Sequence, residues 1–275
     1  MRAPRAEAFL ALHRPGDPLL MPNGWDVGSA RILATLGFAA LATTSSGFAA
    51  SLGRLDGSLA RGEALDHAAA VAVAVEVPVS ADLENGFADS PEEVAVTVAA
   101  AAESGLAGCS IEDYGRGGIY DAGLACERVA AAAQAAAGRI VLTARAENYL
   151  HGRKDLSDTI TRLQAYQSAG ADVLYAPGLV SQGDIGTLVR ALDRPVNVLL
   201  LGGGPGRDEL ASLGVSRISV GGAFAFAAIG ALAEAASELE GPGPYGFFDL
   251  ATKGRELART AFGPGPEPRP GEARG

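Results

Sequence analysis

Acidic residues and one arginine follow short apolar stretches in the middle of the chain. Asp82 and Glu84 lie in PVSADLENG, Glu112 lies in GCSIED and Arg145 lies in IVLTARAEN. Carboxylates that converge repel one another, and a bound cation relieves that repulsion. Because no His or Cys accompanies these acids, they favour Mg²⁺, with Mn²⁺ as the alternative. One carboxylate can then ligate the ion directly while the others hold its water molecules.

The same region can bind a small anion. Arg145 is a natural partner for a substrate carboxylate, because a guanidinium binds carboxylates in a bidentate manner. Ser46 and Gly47 offer backbone N–H groups to the same anion. The net charge of −10 makes nucleic acid and anionic membrane surfaces poor partners. A metal ion together with Arg145 would create a cationic spot for an acid substrate in this acidic chain.

A repeated unit along the chain must position these residues. Helical patterns end in Gly and lead into short apolar strands, as in ATLGFAALAT and QSAGADVLYAP. Eight strand candidates alternate with Ala-rich segments, which predicts an α/β fold of the (β/α)8 TIM-barrel type. A doubly wound sheet is the alternative. The predicted helices are 26–36, 61–75, 90–104, 123–137, 155–169, 181–192, 206–212 and 222–238, followed by a further helix over 245–261.

In such a barrel, chemistry takes place at the carboxyl ends of the strands. The two-residue period of a strand places Asp82 and Glu84 on one side, and Arg145 and Glu147 likewise. Acidic residues at neighbouring strand ends favour a functional site over solvated loop residues. Neither of the two lysines lies in a strand pattern, which disfavours Schiff-base chemistry. The histidines and cysteines lack ligand spacing, and we interpret them as structural.

Residues 1–262 are expected to form a single barrel domain, and residues 263–275 a flexible Pro/Gly-rich tail. The first 20 residues lack the apolar core of a signal peptide, and no apolar run is long enough to span a membrane. The sequence therefore predicts a cytoplasmic protein that has no membrane partner.

Five segments together resemble the isocitrate lyase / phosphoenolpyruvate mutase superfamily, over roughly residues 18–240. They are WDVGSARILATLGFAALATTSSG, SLGRLD, PVSADLENGF, GCSIED and LTARAEN. The resemblance implies a barrel that binds Mg²⁺ and acts on 2-oxo or 2-hydroxy acids. It also implies a homotetramer, a dimer of dimers in which neighbouring subunits exchange a C-terminal helix.

The resemblance assigns the metal site to four acids. Asp82 resembles the direct metal ligand, whereas Asp56, Glu84 and Glu112 resemble the residues that hold metal-bound water.

It also assigns a substrate site. Ser46 and Gly47 resemble the residues that hold the substrate carboxylate, beside the metal ligand Asp82. Arg145 resembles the arginine that contacts the substrate, and Asn197 matches a substrate-contacting position on the seventh strand.

The loop after the fourth strand departs from the lyase pattern. It reads EDYGRGGIYDAGL and lacks the Lys, Cys and His of the lyase gating loop, and LYAPGL lacks the Glu that follows strand six in those lyases. The acid–base group is therefore open. Within the loop the candidates are Tyr114, Arg116, Tyr120 and Asp121. The candidate catalytic set consists of Tyr114, Tyr120, Glu112 and Arg145.

These residues fit a Mg²⁺-dependent carbon–carbon lyase that acts on a small 2-oxo or 2-hydroxy di- or tricarboxylate. The reaction would resemble that of isocitrate lyase or of an oxaloacetate decarboxylase, through a metal-stabilised enolate. One alternative is cleavage or rearrangement of a carbon–phosphorus bond, as in phosphonopyruvate hydrolase or phosphoenolpyruvate mutase. Another is a catalytically weak protein that binds 2-oxo acids.

Overall fold

A parallel sheet that curls into a barrel organises the chain. The computed structural model describes residues 2–263. Nine parallel strands follow the order β1-β11-β10-β9-β8-β5-β4-β3-β2. They are β1 Leu19–Met21, β2 Asn23–Gly24, β3 Leu41–Thr43, β4 Val79–Asp82, β5 Gly108–Glu112, β8 Val141–Arg145, β9 Val173–Tyr175, β10 Val196–Leu199 and β11 Arg217–Ser219. A separate antiparallel hairpin consists of β6 Tyr114–Gly115 and β7 Gly118–Ile119.

Strands β1 and β2 occupy one position in the barrel, because only Pro22 separates them. Strand β1 pairs with β11 on one side, and β2 pairs with β3 on the other. Proline has no N–H group to donate to the ladder, which accounts for the interruption. The nine strands therefore make eight positions, and the predicted TIM-type barrel is confirmed.

Helices alternate with the strands. They are α1 Pro4–Ala11, α2 Val27–Thr35, α3 Ser45–Ser51, α4 Arg61–Ala74, α5 Pro91–Glu103, α6 Ala122–Ala136, α7 Leu156–Ser168, α8 Gln182–Arg190, α9 Arg207–Ser212, α10 Ala223–Leu239 and α11 Phe247–Phe262. The nine predicted helices correspond to α2 and to α4–α11, with ends that agree within two residues. Helices α1 and α3 and the β6–β7 hairpin were not predicted.

Two hydrophobic clusters show which strand residues point into the barrel. Leu142 and Ala144 belong to the larger cluster, between sheet and helices, whereas Val141 belongs to a smaller cluster with Phe9 of α1. A Cβ atom on Gly108 would lie 2.9 Å from the Phe9 ring, so α1 closes the amino-terminal end of the barrel. By strand alternation Thr143 and Arg145 share the inward face with Val141.

The described part of the chain divides into two compact units, one that ends at Ala227 and one that begins at Ala228. All the strands belong to the first unit. In the second, α11 has no buried residue and exposes Phe248, Leu250 and Phe262. The single domain over 1–262, the homotetramer and the exchange of a C-terminal helix stay predictions, and most of the predicted tail, residues 264–275, lies outside the described residues. No helix within residues 2–263 has the length and apolar character needed to cross a membrane.

Candidate active site

A cavity of about 1030 Å³ opens at the carboxyl ends of the barrel strands. All eight strand positions contribute residues to its lining. Representative lining residues, one from each of six strands, are Thr43, Asp82, Glu112, Arg145, Tyr175 and Asn197. The cavity therefore lies where the barrel interpretation places the chemistry, and it contains most of the predicted site residues.

Arg145 connects the acids of the cavity. Its Nη1 lies 3.0 Å from Asp82 Oδ1, its Nη2 lies 3.1 Å from Glu112 Oε2, and its Nε donates to Glu147 Oε1 at 2.8 Å. Burial alone would lower the pKa of Arg145, but the charges of Glu147, Glu112 and Asp82 outweigh it and raise the pKa well above its usual value. The guanidinium also lies 5.4 Å from the centre of the Tyr175 ring. In this arrangement Arg145 neutralises acids that come from three segments.

Glu84 is a buried acid of the cavity whose negative charge is poorly balanced by its surroundings. Its Oε1 is buried and has no hydrogen-bond partner among residues 2–263. Burial, reinforced by the charges of Asp82 and Asp56, raises the pKa of Glu84 to about 7. The residue adopts a left-handed backbone conformation with φ of 47°, which is unusual for a residue other than glycine and often accompanies function. A buried carboxylate oxygen without a partner is costly, and a cation or a water molecule bound to it would remove that cost.

Asp82 is held rigidly beside Glu84. Its backbone N–H donates to Thr43 Oγ1 at 2.9 Å, and its Oδ2 accepts from the Ser45 backbone N–H at 3.1 Å. The Ser45 hydroxyl donates to Asp56 Oδ1 at 2.9 Å, which brings the separate Asp56 loop to the same place. Each Asp82 oxygen has two lone pairs and therefore keeps acceptor capacity beyond its present bond.

These acids fit a divalent cation that keeps several bound water molecules better than one that is bound only by protein ligands. Within residues 2–263 no three His, Cys, Asp or Glu side chains converge tightly enough to form a ready metal cage. Mg²⁺ normally takes only one or two protein carboxylates and keeps several water molecules. Asp82 as the direct ligand, with Asp56, Glu84 and Glu112 around its water, is therefore compatible with the geometry. Burial raises the pKa of Glu112 well above its usual range, although Arg145 opposes that rise.

Ser46 and Gly47 lie in the first turn of α3. Thr44 caps this helix, and its Oγ1 lies 3.4 Å from the Gly47 backbone N and 3.1 Å from Ser46 Oγ. Ser46 lines the cavity, as predicted for a substrate contact. A Cβ atom on Gly47 would lie 2.7 Å from Thr44 Cγ2 and 2.9 Å from Trp25 Cβ, so close packing requires a glycine there.

The two candidate tyrosines have different environments. Tyr114 lines the cavity, and its ring stacks on His151 with centroids 3.3 Å apart. Tyr120 is not among the lining residues. Its hydroxyl donates to Asp89 Oδ1 at 2.5 Å and accepts from Asn85 Nδ2 at 2.9 Å. The structure thus brings Tyr114 to the site and uses the Tyr120 hydroxyl to brace a loop.

Asn197 also lines the cavity, on β10, as the resemblance implies. Its Nδ2 donates to Ser219 Oγ at 3.0 Å, and its Oδ1 accepts from Arg217 Nε at 3.0 Å. Sequence reasoning missed Arg217. The available signal was a charged residue inside the otherwise apolar strand pattern GVSRISV.

A buried network beneath Arg145 was also missed. Asp113 accepts hydrogen bonds from the Glu147 backbone N–H at 2.8 Å, from Arg162 Nη1 at 3.1 Å and from the Tyr166 hydroxyl at 2.6 Å. The Asp113 backbone N–H donates to the Arg145 carbonyl at 3.2 Å. This network fixes the end of β8 against the end of β5, and with it the origin of the Arg145 side chain.

Comparison with known proteins agrees with this geometry. The family model of phosphoenolpyruvate phosphomutase matches residues 9–240. A crystal structure from Burkholderia cenocepacia J2315, provisionally described as a lyase/mutase, is 51% identical with a TM-score of 0.90, covering 95% of this chain and 96% of that one. An uncharacterized protein of Mycobacterium tuberculosis H37Rv is 36% identical over 83% of this chain and 87% of its own. The structure of oxaloacetate acetylhydrolase with the product oxalate is 27% identical, has a TM-score of 0.82, and covers 93% of this chain and 94% of that one. The chain therefore belongs to the phosphoenolpyruvate phosphomutase family, within the isocitrate lyase/phosphoenolpyruvate mutase superfamily of enzymes.

Proposed function

We propose that this chain is a Mg²⁺-dependent lyase that cleaves a carbon–carbon bond in a small 2-oxo or 2-hydroxy di- or tricarboxylate. The observation that carries the proposal is the group of acids around Arg145, beside which one buried Glu84 oxygen has no partner in the described part of the chain. Oxaloacetate acetylhydrolase, a relative of the same fold, binds the two-carbon dicarboxylate oxalate as its product. That relative supports a dicarboxylate substrate here.

Asp82 would hold the divalent ion directly, and Asp56, Glu84 and Glu112 would bind its water. A cation held there supplies positive charge beside the oxygens of a 2-oxo acid and stabilises the charge that develops when a bond to C3 breaks. Mn²⁺ prefers similar oxygen ligands and is the expected substitute.

The side chains of the cavity would orient the acid. Ser46, in the first turn of α3, would hold one substrate carboxylate, and Arg145 would share its donors with the same group. Asn197, on β10, would contact the substrate through its amide. Because Arg145 already pairs with three carboxylates, it fixes the polar framework even before a substrate arrives.

Two groups are available for proton transfer. Burial favours the protonated form of Glu112, so its carboxyl can donate a proton in the cavity. The hydroxyl of Tyr114 is the second candidate, and the His151 ring that supports it lies 3.8 Å from the buried Glu147 carboxylate. Loss of CO₂ from a 3-carboxy-2-oxo acid requires no base at C3. Decarboxylation therefore needs no acid–base group from the loop that follows β5 and carries Tyr114.

The test is turnover by purified protein with Mg²⁺ of oxaloacetate, isocitrate, methylisocitrate and alkylmalates. We expect release of pyruvate, glyoxylate or CO₂ from at least one of them, with loss of activity in EDTA and in the matched variant Asp82→Asn. If no member of the panel is cleaved, the proposal is wrong. Titration of oxalate with and without Mn²⁺ provides a binding measurement that does not depend on finding the substrate.

A second candidate is carbon–phosphorus chemistry, which the family model of phosphoenolpyruvate phosphomutase favours. Phosphonopyruvate turnover that exceeds turnover of every dicarboxylate would select it. Tight metal-dependent binding of oxalate without turnover of either class would instead select the catalytically weak 2-oxo acid binding protein.

A further inference from the structure

Arg217 is a cation buried in the barrel interior, and no acidic side chain among the described residues pairs with it. Its side chain belongs to β11, and only 2% of the residue is exposed. Its Nε donates to Asn197 Oδ1 at 3.0 Å, its Nη2 donates to Thr143 Oγ1 at 3.2 Å, and its Nη1 lies 3.2 Å from His13 Nε2. All three partners are neutral side chains, and in the described part of the chain Arg217 forms no ion pair. An unpaired buried charge is expensive, so its presence calls for a role beyond packing.

The contacts of His13 show that Arg217 carries the charge of this group. The Nδ1 atom of His13 lies 3.1 Å from the Phe9 carbonyl oxygen and 3.3 Å from that of Leu10, which only accept. Nδ1 therefore carries the hydrogen, and Nε2 presents its lone pair to Arg217, which only donates. Burial, together with the nearby Arg217, lowers the pKa of His13 to about 3. Burial lowers the pKa of Arg217 to about 10, so it stays charged at neutral pH.

Arg217 also determines which way the Asn197 amide points. Because a guanidinium has no acceptor, the amide oxygen must face Nε, and the amide nitrogen must face Ser219. Ser219 Oγ takes one of the two amide hydrogens. The second hydrogen has no protein acceptor within residues 2–263, and both Asn197 and Ser219 line the cavity.

We propose that Arg217 is a positioning residue that fixes Asn197 as a hydrogen-bond donor at the cavity floor, and so makes that floor a receptor for an anionic oxygen of the substrate. The ligand class is the carboxylate or enolate oxygen of a 2-oxo acid, and the inference rests on the proposed function. The inward residues Val141 and Val173, in the cluster with Phe9 of α1, are apolar. Arg217 instead lies among the polar side chains of Asn197, Thr143 and His13, all of them neutral. A cation that lines a cavity among neutral polar groups favours an anion there.

The isosteric variant Asn197→Asp separates this role from a structural one. It gives Arg217 a carboxylate at an existing hydrogen-bond position and removes the donor from the cavity. We expect the melting temperature to stay equal or to rise, and the affinity for oxalate with Mn²⁺ to fall at least about tenfold, as for the loss of a hydrogen bond to a charged group. The affinity for Mn²⁺ alone, measured by electron paramagnetic resonance, should stay unchanged. Wild-type affinity for oxalate in Asn197→Asp would overturn the inference.

A double-mutant cycle tests whether Arg217 acts through Asn197. Arg217→Met and Asn197→Ala should each weaken oxalate binding, and the double variant should bind little worse than either, because all three lack the same donor. Losses of oxalate affinity that add in the double variant would show that Arg217 does not act through Asn197.

Arg2→Met is the matched control. It removes a cation paired with Asp172, before the start of β9, and should lower stability without changing oxalate affinity. If wild-type protein binds no oxalate with Mn²⁺, the proposed function fails as well; if it binds and the variants do not differ from it, only this inference fails.

Discussion

Replacing Asp113 with Asn tests the claim that a buried acid beneath the site determines its geometry. Asp113 is 3% exposed and accepts three hydrogen bonds, two of them at Oδ2 from Arg162 and Tyr166 and one at Oδ1 from the Glu147 backbone. Asn has almost the same shape but replaces one acceptor oxygen with a donor NH₂ group. Whichever way the amide turns, its NH₂ group faces at least one N–H donor, and the charge opposite Arg162 is lost.

The size of the effect follows from these contacts. Removing one partner of a buried ion pair typically costs about 3–5 kcal/mol. Arg162 keeps Asp158 at 2.8 Å as a second partner, so we expect the lower end, about 3 kcal/mol. Urea unfolding followed by circular dichroism measures this value. Activity should fall as well, because Asp113 holds the Glu147 backbone and the Arg145 carbonyl in place.

The matched control is Asp193→Asn. Asp193 accepts from Gln167 Nε2 at 3.0 Å on the exposed surface and pairs with no cation within residues 2–263. The same substitution there should change stability by less than about 0.5 kcal/mol. The reasoning is refuted if Asp113→Asn and Asp193→Asn lose similar stability. It is also refuted if Asp113→Asn loses stability while its kcat and KM remain those of the wild type.

Three further predictions concern the cavity. A proton and a cation compete for Glu84, whose pKa is raised to about 7, so Mn²⁺ affinity should rise about tenfold from pH 6 to pH 8. Glu84→Gln should make that slope shallower, and an equal slope in the variant would contradict the assignment. Gly47→Ala places a Cβ atom 2.7 Å from Thr44 Cγ2 and should cost about 1–3 kcal/mol in urea unfolding, whereas an unchanged midpoint would show that the turn relaxes. Tyr114→Phe should lower kcat and Tyr120→Phe should lower only stability, and the reverse result would assign the catalytic hydroxyl to Tyr120.

The barrel was predictable because its signals are local. A helix that ends in Gly and is followed by an apolar strand needs only a few adjacent residues to be recognised, and Gly170 and Gly214 adopt φ of 108° and 86° at these junctions. The acids were predictable for a related reason. Once a strand is recognised, its two-residue period and its carboxyl end determine where Asp82, Glu112 and Arg145 point.

The missed features depend on distant parts of the chain or on weak local signals. Helix α1 has a Pro at its start as its main signal, and the cap of α3 is Thr44 in a stretch that was interpreted as a strand end. His13 and Arg217 meet across 204 positions. No pattern within either segment indicates that meeting, so the neutral state of His13 and the donor direction of Asn197 follow only from the fold.

Charge explains why a metal and an acid substrate would bind together in this cavity. Asp82, Glu112 and Glu147 contact Arg145, Glu84 and Asp56 are two further acids of the cavity, and Arg217 is its second buried cation. Five negative and two positive charges leave a formal charge of −3 when all are ionised. A proton on Glu84 reduces that charge to −2, whereas one divalent cation reduces it to −1. A dianionic 2-oxo acid is therefore repelled less when the cation is bound. The acids that repel an anionic substrate thus make its binding depend on the cation, while Arg145 and Arg217 supply donors that are already in place.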